Sequence, residues 1–184
     1  MPFYEVQHTH PLSTSQKHSI ARSITQLHSS TFLTPSLFVN VVFHNLSTQS
    51  PNSDTTYFLA GEPASHHPNG PNRILGMVRT SSSRTKAVFD DLAARIEKAW
   101  YDALGAPTDS ADKASKKMHF ITFYPMIAAR ENGVTIPDAG NESSWLKDNM
   151  PYFKSQAYDH GDQDFRKMIE EIDQREDLKE LVKQ

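Results

Sequence analysis

Alternating apolar and polar residues predict a short strand over Pro2-Phe3-Tyr4-Glu5-Val6-Gln7, with proline tolerated as its first residue. His8-Thr9-His10-Pro11 ends it, and the spacing then changes to the helical period. Ser13 with Gln16 three residues on forms a capping box. The helix it opens runs to about Ser29, with Ile20, Ile24 and Leu27 on its apolar stripe. Phe38-Val39-Asn40-Val41-Val42-Phe43-His44 is the clearest strand of the chain, rich in β-branched and aromatic residues. A polar loop follows, broken by a short strand at Tyr57-Phe58-Leu59-Ala60, and His66-His67-Pro68-Asn69-Gly70-Pro71 is a turn-rich connector.

The pattern then repeats. Arg73 to Arg79 reads as a strand, Thr80 to Ser83 as a polar turn, and Arg84 to Leu104 as a long helix with Val88, Leu92, Ile96 and Ala99 on one face. Gly105-Ala106-Pro107 stops that helix, and Met118 to Tyr124 closes the unit as a strand. Two β-α-β units, at about 1–45 and 73–124, predict an α/β fold: a four-stranded mixed sheet with two helices on one face. Beyond Pro125 the pattern breaks into turns at Asn132-Gly133 and Pro137-Asp138-Ala139-Gly140, followed by a short helical stretch around Trp145. Asp162 caps a final helix with Phe165, Met168, Ile169 and Ile172, continued by a charged run to Leu178 and Leu181. Residues 1–150 are thus expected to form the main domain and 151–184 a C-terminal helical extension.

Composition narrows the classes. A chain of 184 residues is long enough for one domain with a real core. A net charge of −3 gives no general attraction to nucleic acid or acidic membranes. The absence of cysteine excludes disulfides, thiolate nucleophiles and cysteine-based metal sites. No apolar run approaches 18 residues and no signal-peptide pattern is present, so a cytoplasmic protein is expected.

The chemistry starts at Met1-Pro2. Removal of an initiator methionine ahead of proline would leave Pro2 with a free secondary amine. Burial in apolar surroundings disfavours the charged form of such an amine and brings it towards neutrality, where proton transfer is efficient. A second-position proline also occurs without any catalytic role. His28, four residues past Ile24, falls at the expected end of the first helix. It reads either as a satisfied core residue or, favoured as a cation by the helix C-terminus, as an anion contact. Arg84, in the expected first turn of the second helix, is disfavoured there by the macrodipole. With free backbone N–H groups and three serines beside it, it describes a carboxylate or phosphate pocket, or else a solvated arginine on a helix end. His8, His10, His66 and His67 lack the spacing of a metal site, so no metal is expected.

The order and spacing of four segments carry a resemblance. They are Met1-Pro2-Phe3-Tyr4, Ala21-Arg22-Ser23-Ile24-Thr25-Gln26-Leu27-His28, Ser81-Ser82-Ser83-Arg84 and Arg130-Glu131-Asn132-Gly133. Together, over roughly residues 2–150, they resemble the tautomerase superfamily, and within it the longer fungal members of the cis-3-chloroacrylic acid dehalogenase branch. The resemblance implies a tautomerase/MIF-like fold assembled as a homotrimer, with the proline at the floor of each site and no cofactor. It further implies that Pro2 exchanges a proton with a carbon next to a carboxylate, that His28 and Arg84 bind a small carboxylate substrate, and that Glu131 activates water. The branch's second arginine falls at Ser81, for which Arg79 is the substitute. Its tyrosine falls at Phe123 by strand register, with Tyr124 one place on. These departures favour tautomerase-like or hydratase-like chemistry on an unsaturated or 2-oxo acid over dehalogenation. The competing class is a non-catalytic trimeric binding or signalling protein of the same fold.

Overall fold

The computed structural model describes residues 2–47, 58–63 and 70–183. Its centre is a four-stranded sheet in which β1 (Phe3–His8), β2 (Asn40–Asn45), β5 (Asn72–Val78) and β6 (Met118–Pro125) run in the order β2-β1-β5-β6. β1 pairs parallel with β2 and β5 pairs parallel with β6, while β1 and β5 meet antiparallel, so the two β-α-β units join edge to edge. Two ribbons stand apart from this sheet: β3 (Phe58–Leu59) with β4 (Glu62–Pro63), and β7 (Arg130–Glu131) with β8 (Val134–Thr135). Tyr57 of the expected short strand and residues 66–69 of the expected connector, which hold His66 and His67, lie outside the described residues.

Tyr4, Val6 and Ile74 face the helices with no exposed surface, packed with Ile20, Ile24, Leu92, Ile96 and Trp100. α1 (Thr14–Phe32) opens on the expected capping box, but runs three residues past Ser29 and ends on Leu33 in the left-handed conformation. α2 (Lys86–Leu104) begins two residues later than the expected Arg84. Thr85 takes the N-cap position, and Arg84 closes a turn by donating its backbone N–H to the carbonyl of Ser81 (3.1 Å). A run of serines and a threonine offers several capping registers, and the chain uses the last. Gly76 is required in β5, because a Cβ there would come within 2.8 Å of the Phe123 ring and 2.9 Å of the Tyr4 ring. That missing side chain lets the two rings meet edge to face under the helices.

The connection after α2 holds a short helix, α3 (Ser110–Ser115), which the hydrophobic pattern did not signal although Asp109 caps it. The region beyond the sheet is also richer than one final helix. It comprises α4 (Glu142–Lys154), a π-turn over Ser155–Asp159, α5 (Gln163–Gln174) and α6 (Glu176–Lys183). Asp162 caps α5 as expected, and Arg175 adopts an extended conformation that separates α5 from α6. Apolar residues at helical spacing on α4, α5 and α6 form a second cluster with Phe38 and Val134. This explains why β2 starts at Asn40 rather than Phe38. The preceding residues form a 3-10 turn, Ser36–Phe38, that turns the Phe38 ring away from the sheet and into the second cluster.

Candidate functional site

Pro2 is buried immediately before β1, and its carbonyl accepts the backbone N–H of Asn40 at 3.2 Å. The parallel pairing of β1 and β2 brings these strand starts together. The Asn40 side chain reaches the other way, donating from Nδ2 to Oε1 of Glu131 at 3.1 Å. One asparagine therefore holds both the proline segment and the carboxylate. Oε2 of Glu131 is buried and has no hydrogen-bond partner among the described residues. Burial raises the Glu131 carboxyl above its usual range, against the opposing pull of the Asn40 hydrogen bond and the positive amino terminus. Glu131 reaches this place on the β7–β8 hairpin, whose Asn132 and Gly133 both have positive φ (48° and 85°), the geometry of a tight two-residue turn.

Behind the proline, the Tyr4 hydroxyl and His28 Nδ1 share a buried hydrogen bond of 2.9 Å. Burial pushes the Tyr4 hydroxyl well up. It also pushes His28 well below its ordinary value, helped by the positive charges of the amino terminus, Arg84 and Arg79. His28 is thus held neutral rather than cationic. The expectation from the helix end is overturned because α1 continues to Phe32 and leaves His28 inside the helix, under two arginines. The His28 ring packs on Phe32 (centroids 4.7 Å apart), and the Arg84 guanidinium lies over the same ring at 4.7 Å.

Arg79 and Arg84 converge. Nη2 of each donates to the same oxygen, Oε1 of Glu142, at 2.8 Å from Arg79. All three side chains are largely shielded, with exposures of 10%, 9% and 11% for Arg79, Arg84 and Glu142. Arg79 is further tied to the chain before α4, through Nη1 to the Pro137 carbonyl at 2.7 Å and the Asp138 carbonyl at 3.4 Å. Burial draws its guanidinium below the usual value while Glu142 opposes the shift. Arg79 therefore stands beside Arg84 on one carboxylate, whereas Ser81 bonds Ser83 (3.0 Å) on the surface. Glu142 was missed from the sequence. It reads there as an ordinary acidic residue in a first helical turn, and its partners lie 58 and 63 residues away.

The sheet does not bring Tyr124 to this cluster within one chain. Phe123 packs against Phe89 and Tyr4 on the helix side, so Tyr124 points to the opposite face, where it is 48% exposed. Phe120 is 45% exposed, and β6 ends the sheet as an edge strand. A groove of about 1020 Å³ lies elsewhere, between α1, α2 and α5. Its walls mix Arg22, Lys98 and Lys167 with Asp102 and Glu170, a balanced charge that selects neither sign. Among the described residues no group of three His, Asp or Glu side chains is gathered to hold a metal, and no helix is long and apolar enough to cross a membrane.

Among curated proteins none matches the sequence. Among solved structures, N1, a member of the cis-3-chloroacrylic acid dehalogenase (cis-CaaD) family, aligns at 23% identity over 78% of this chain and 89% of its own, with a TM-score of 0.53. Native fused 4-OT aligns at 17% identity over 72% and 94%, with a TM-score of 0.52. MIF2 of Leishmania major aligns at 14% identity over 74% and 97%, with a TM-score of 0.50. At these identities the likeness is one of fold. Residues 1–150 match the family described as "Putative oxalocrotonate tautomerase enzyme", and the chain belongs to that family, within the tautomerase superfamily.

Proposed function

We propose that the chain is an acid–base enzyme whose amino-terminal proline, Pro2, moves a proton at a carbon next to the carboxylate of a small 2-oxo or unsaturated acid. The observation that carries this reading is the Asn40 bridge, in which one residue holds the Pro2 carbonyl by its backbone N–H and the Glu131 carboxylate by its side-chain amide, at the same end of the sheet. Arg84 is the anion holder, its guanidinium supported over the Phe32 ring. Neutral His28, fixed through Nδ1 on Tyr4, offers its other ring nitrogen to the substrate. Proline then gives or takes the proton at the neighbouring carbon, and the charge that develops on the substrate is stabilised by the arginine. Glu131, with its raised pKa and one free oxygen, activates water where the reaction is an addition rather than a keto–enol shift. The keto–enol shift requires the fewest of these groups and is the preferred assignment; water addition comes second and dehalogenation last.

Assembly completes the reading. The sheet face away from the helices, with Phe120 and Tyr124 exposed, favours association into a homotrimer in which Tyr124 serves a neighbouring site. Domain limits of about 1–150 for the tautomerase-like part and 151–184 for the extension go with this reading, as does a cytoplasmic location. An enol–keto assay with phenylpyruvate, on protein whose chain starts at Pro2, tests the assignment. Pro2→Ala and a retained Met1 should each lower kcat/KM about a hundredfold or more, the loss of one positioned proton-transfer group. Full activity in the Met1-bearing protein would remove Pro2 from the mechanism and leave a non-catalytic binding protein of this fold as the better reading.

A further inference from the structure

Two buried arginines placed to hold an anion already have a carboxylate between them. Glu142 accepts from Arg79 and Arg84 through Oε1, and through Oε2 from the backbone N–H of Gly140 at 2.8 Å. It is the first residue of α4, where the partial positive charge of a helix N-terminus adds to its stabilisation. The two arginines are not equivalent around it. Arg79 spends Nη1 on the Pro137 and Asp138 carbonyls and Nη2 on Glu142. Arg84 gives Glu142 its Nη2, and among the described residues its Nη1 and Nε make no hydrogen bond. A guanidinium carries five N–H donors, so among the described residues Arg84, with one in use against three on Arg79, has more donors left for a ligand.

Charge sets what that ligand can be. Two guanidiniums against one carboxylate leave a surplus of one positive charge in the cluster. His28 is held neutral and adds nothing. Glu131, across the site, contributes a negative charge when ionised. A single carboxylate matches the surplus. With the Pro2 amine brought towards neutrality, as the proposed function requires, a second carboxylate on the same small molecule would meet no unpaired guanidinium and would face Glu142 and Glu131. From this geometry we infer that Glu142 is a specificity-determining residue that restricts the site to monocarboxylates and turns away dicarboxylates. The inference rests on Arg84 being the anion holder of the proposed function, and it assigns a task to the C-terminal helices: their first residue tunes the charge of the pocket.

The experiment compares 2-oxopentanoate with 2-oxopentanedioate, which have the same chain length and differ by one carboxylate. Exchange of their C3 hydrogens for deuterium is followed by NMR, with protein whose chain starts at Pro2. The wild type should favour the monoacid tenfold or more in kcat/KM, the effect of an unpaired like charge at close range in a partly shielded site. Glu142→Gln keeps the shape and an acceptor oxygen, and should cut that preference about tenfold or more, chiefly by improving the diacid. Glu142→Asp, which keeps the charge, should retain the preference. Equal losses for both acids in Glu142→Gln would make the residue a packing element, and equal gains would make it a plug that any carboxylate displaces; either result overturns the inference. Should Glu142→Gln fail to fold, the wild-type preference decides alone, and its absence overturns the inference. Should neither acid exchange on the wild type, the proposed function has failed instead. Calorimetric binding of butanoate against butanedioate, to wild type and Glu142→Gln, then reads the same selectivity without turnover, and equal affinities in the wild type would overturn it.

Discussion

The two apolar clusters of this molecule are built differently and carry different parts of the site. The sheet cluster joins residues at regular strand and helix spacing, from Tyr4 and Val6 through Ile20 and Ile24 to Leu92 and Trp100. It sets the amino-terminal end of the sheet: Tyr4 with His28, and Pro2 immediately before the same strand. The helical cluster joins Phe38 from a turn, Val134 from a hairpin and residues of α4, α5 and α6. Pro2, Tyr4 and His28 lie outside it, yet it governs where the charges sit. Trp145 Nε1 donates to the Thr135 carbonyl at 2.6 Å, and the Tyr152 hydroxyl to the Asn132 carbonyl at 3.1 Å, so α4 grips both sides of the hairpin that presents Glu131. The same helix begins with Glu142. The lesson is a division of labour in which the repeated β-α-β units place Pro2, Tyr4 and His28, and α4 fixes the charges around them.

The largest expected effect separates the clusters by truncating one ring in each. Phe153, fully buried, packs on Phe38, Trp145, Tyr152 and Phe165, and Phe153→Ala should cost about 3–5 kcal/mol in urea unfolding. Trp100→Ala in the sheet cluster should cost about as much. Native-state hydrogen exchange distinguishes the two at the Ile136 amide, which bonds the Ala129 carbonyl at 3.0 Å across the base of the hairpin. Only Phe153→Ala should speed that exchange below global unfolding. Equal acceleration by both variants would mean that the clusters open as one unit and that the division of labour is not energetic.

A smaller effect tests the grip itself. Gly133 has φ +85°, and a Cβ there would lie 2.3 Å from the Tyr152 hydroxyl. Gly133→Ala therefore adds backbone strain and a clash, together about 1–3 kcal/mol, measured as a fall in the midpoint of urea unfolding. Tyr152→Phe alone should lose about 1 kcal/mol with its hydrogen bond. Combined, the two changes should cost less than their sum, because the hydroxyl that clashes is gone. Strict additivity would place Tyr152 away from Gly133 in solution.

What could be read from the sequence follows the same division. The strands, both long helices and the cap at Ser13 were legible because local spacing decides them. Pro2, His28, Arg84 and Glu131 were legible as positions in a spaced series, and the fold brings all four to one end of the sheet. The register of α2 was not, since the four residues Thr80 to Ser83 and then Thr85 beyond Arg84 offer competing caps. Neither was the single charge cluster of Arg79, Arg84 and Glu142, which exists only because α4 folds back over the sheet end. Tertiary ion pairs leave no period in a sequence, and a charged first turn is common at any helix start.

The smallest effect is a pH dependence, and it has opposite signs in the two regions. His28 belongs to the sheet cluster, and burial holds its folded pKa well below 6.5, the value approached in the unfolded chain. Above 6.5 it is neutral in both states and its contribution is fully present. As pH falls below 6.5 the unfolded chain takes up a proton that the folded chain refuses, so stability is lost, by at most about 1.4 kcal/mol per pH unit for one proton. Glu131, held by the helical cluster, has a raised folded pKa. In the window just above its ordinary 4.5 the folded chain binds more protons than the unfolded one, so acidification through that window stabilises. Urea unfolding at stepped pH should therefore show His28→Gln with a flatter loss than wild type between 6.5 and 5. Glu131→Gln should show a steeper one just above 4.5. His8, also lowered by burial, adds to the wild-type slope and is unchanged in both variants, so the differences isolate each residue. Parallel curves for wild type and His28→Gln would mean that His28 charges freely in the folded protein, against the burial and the nearby positive charges that disfavour it.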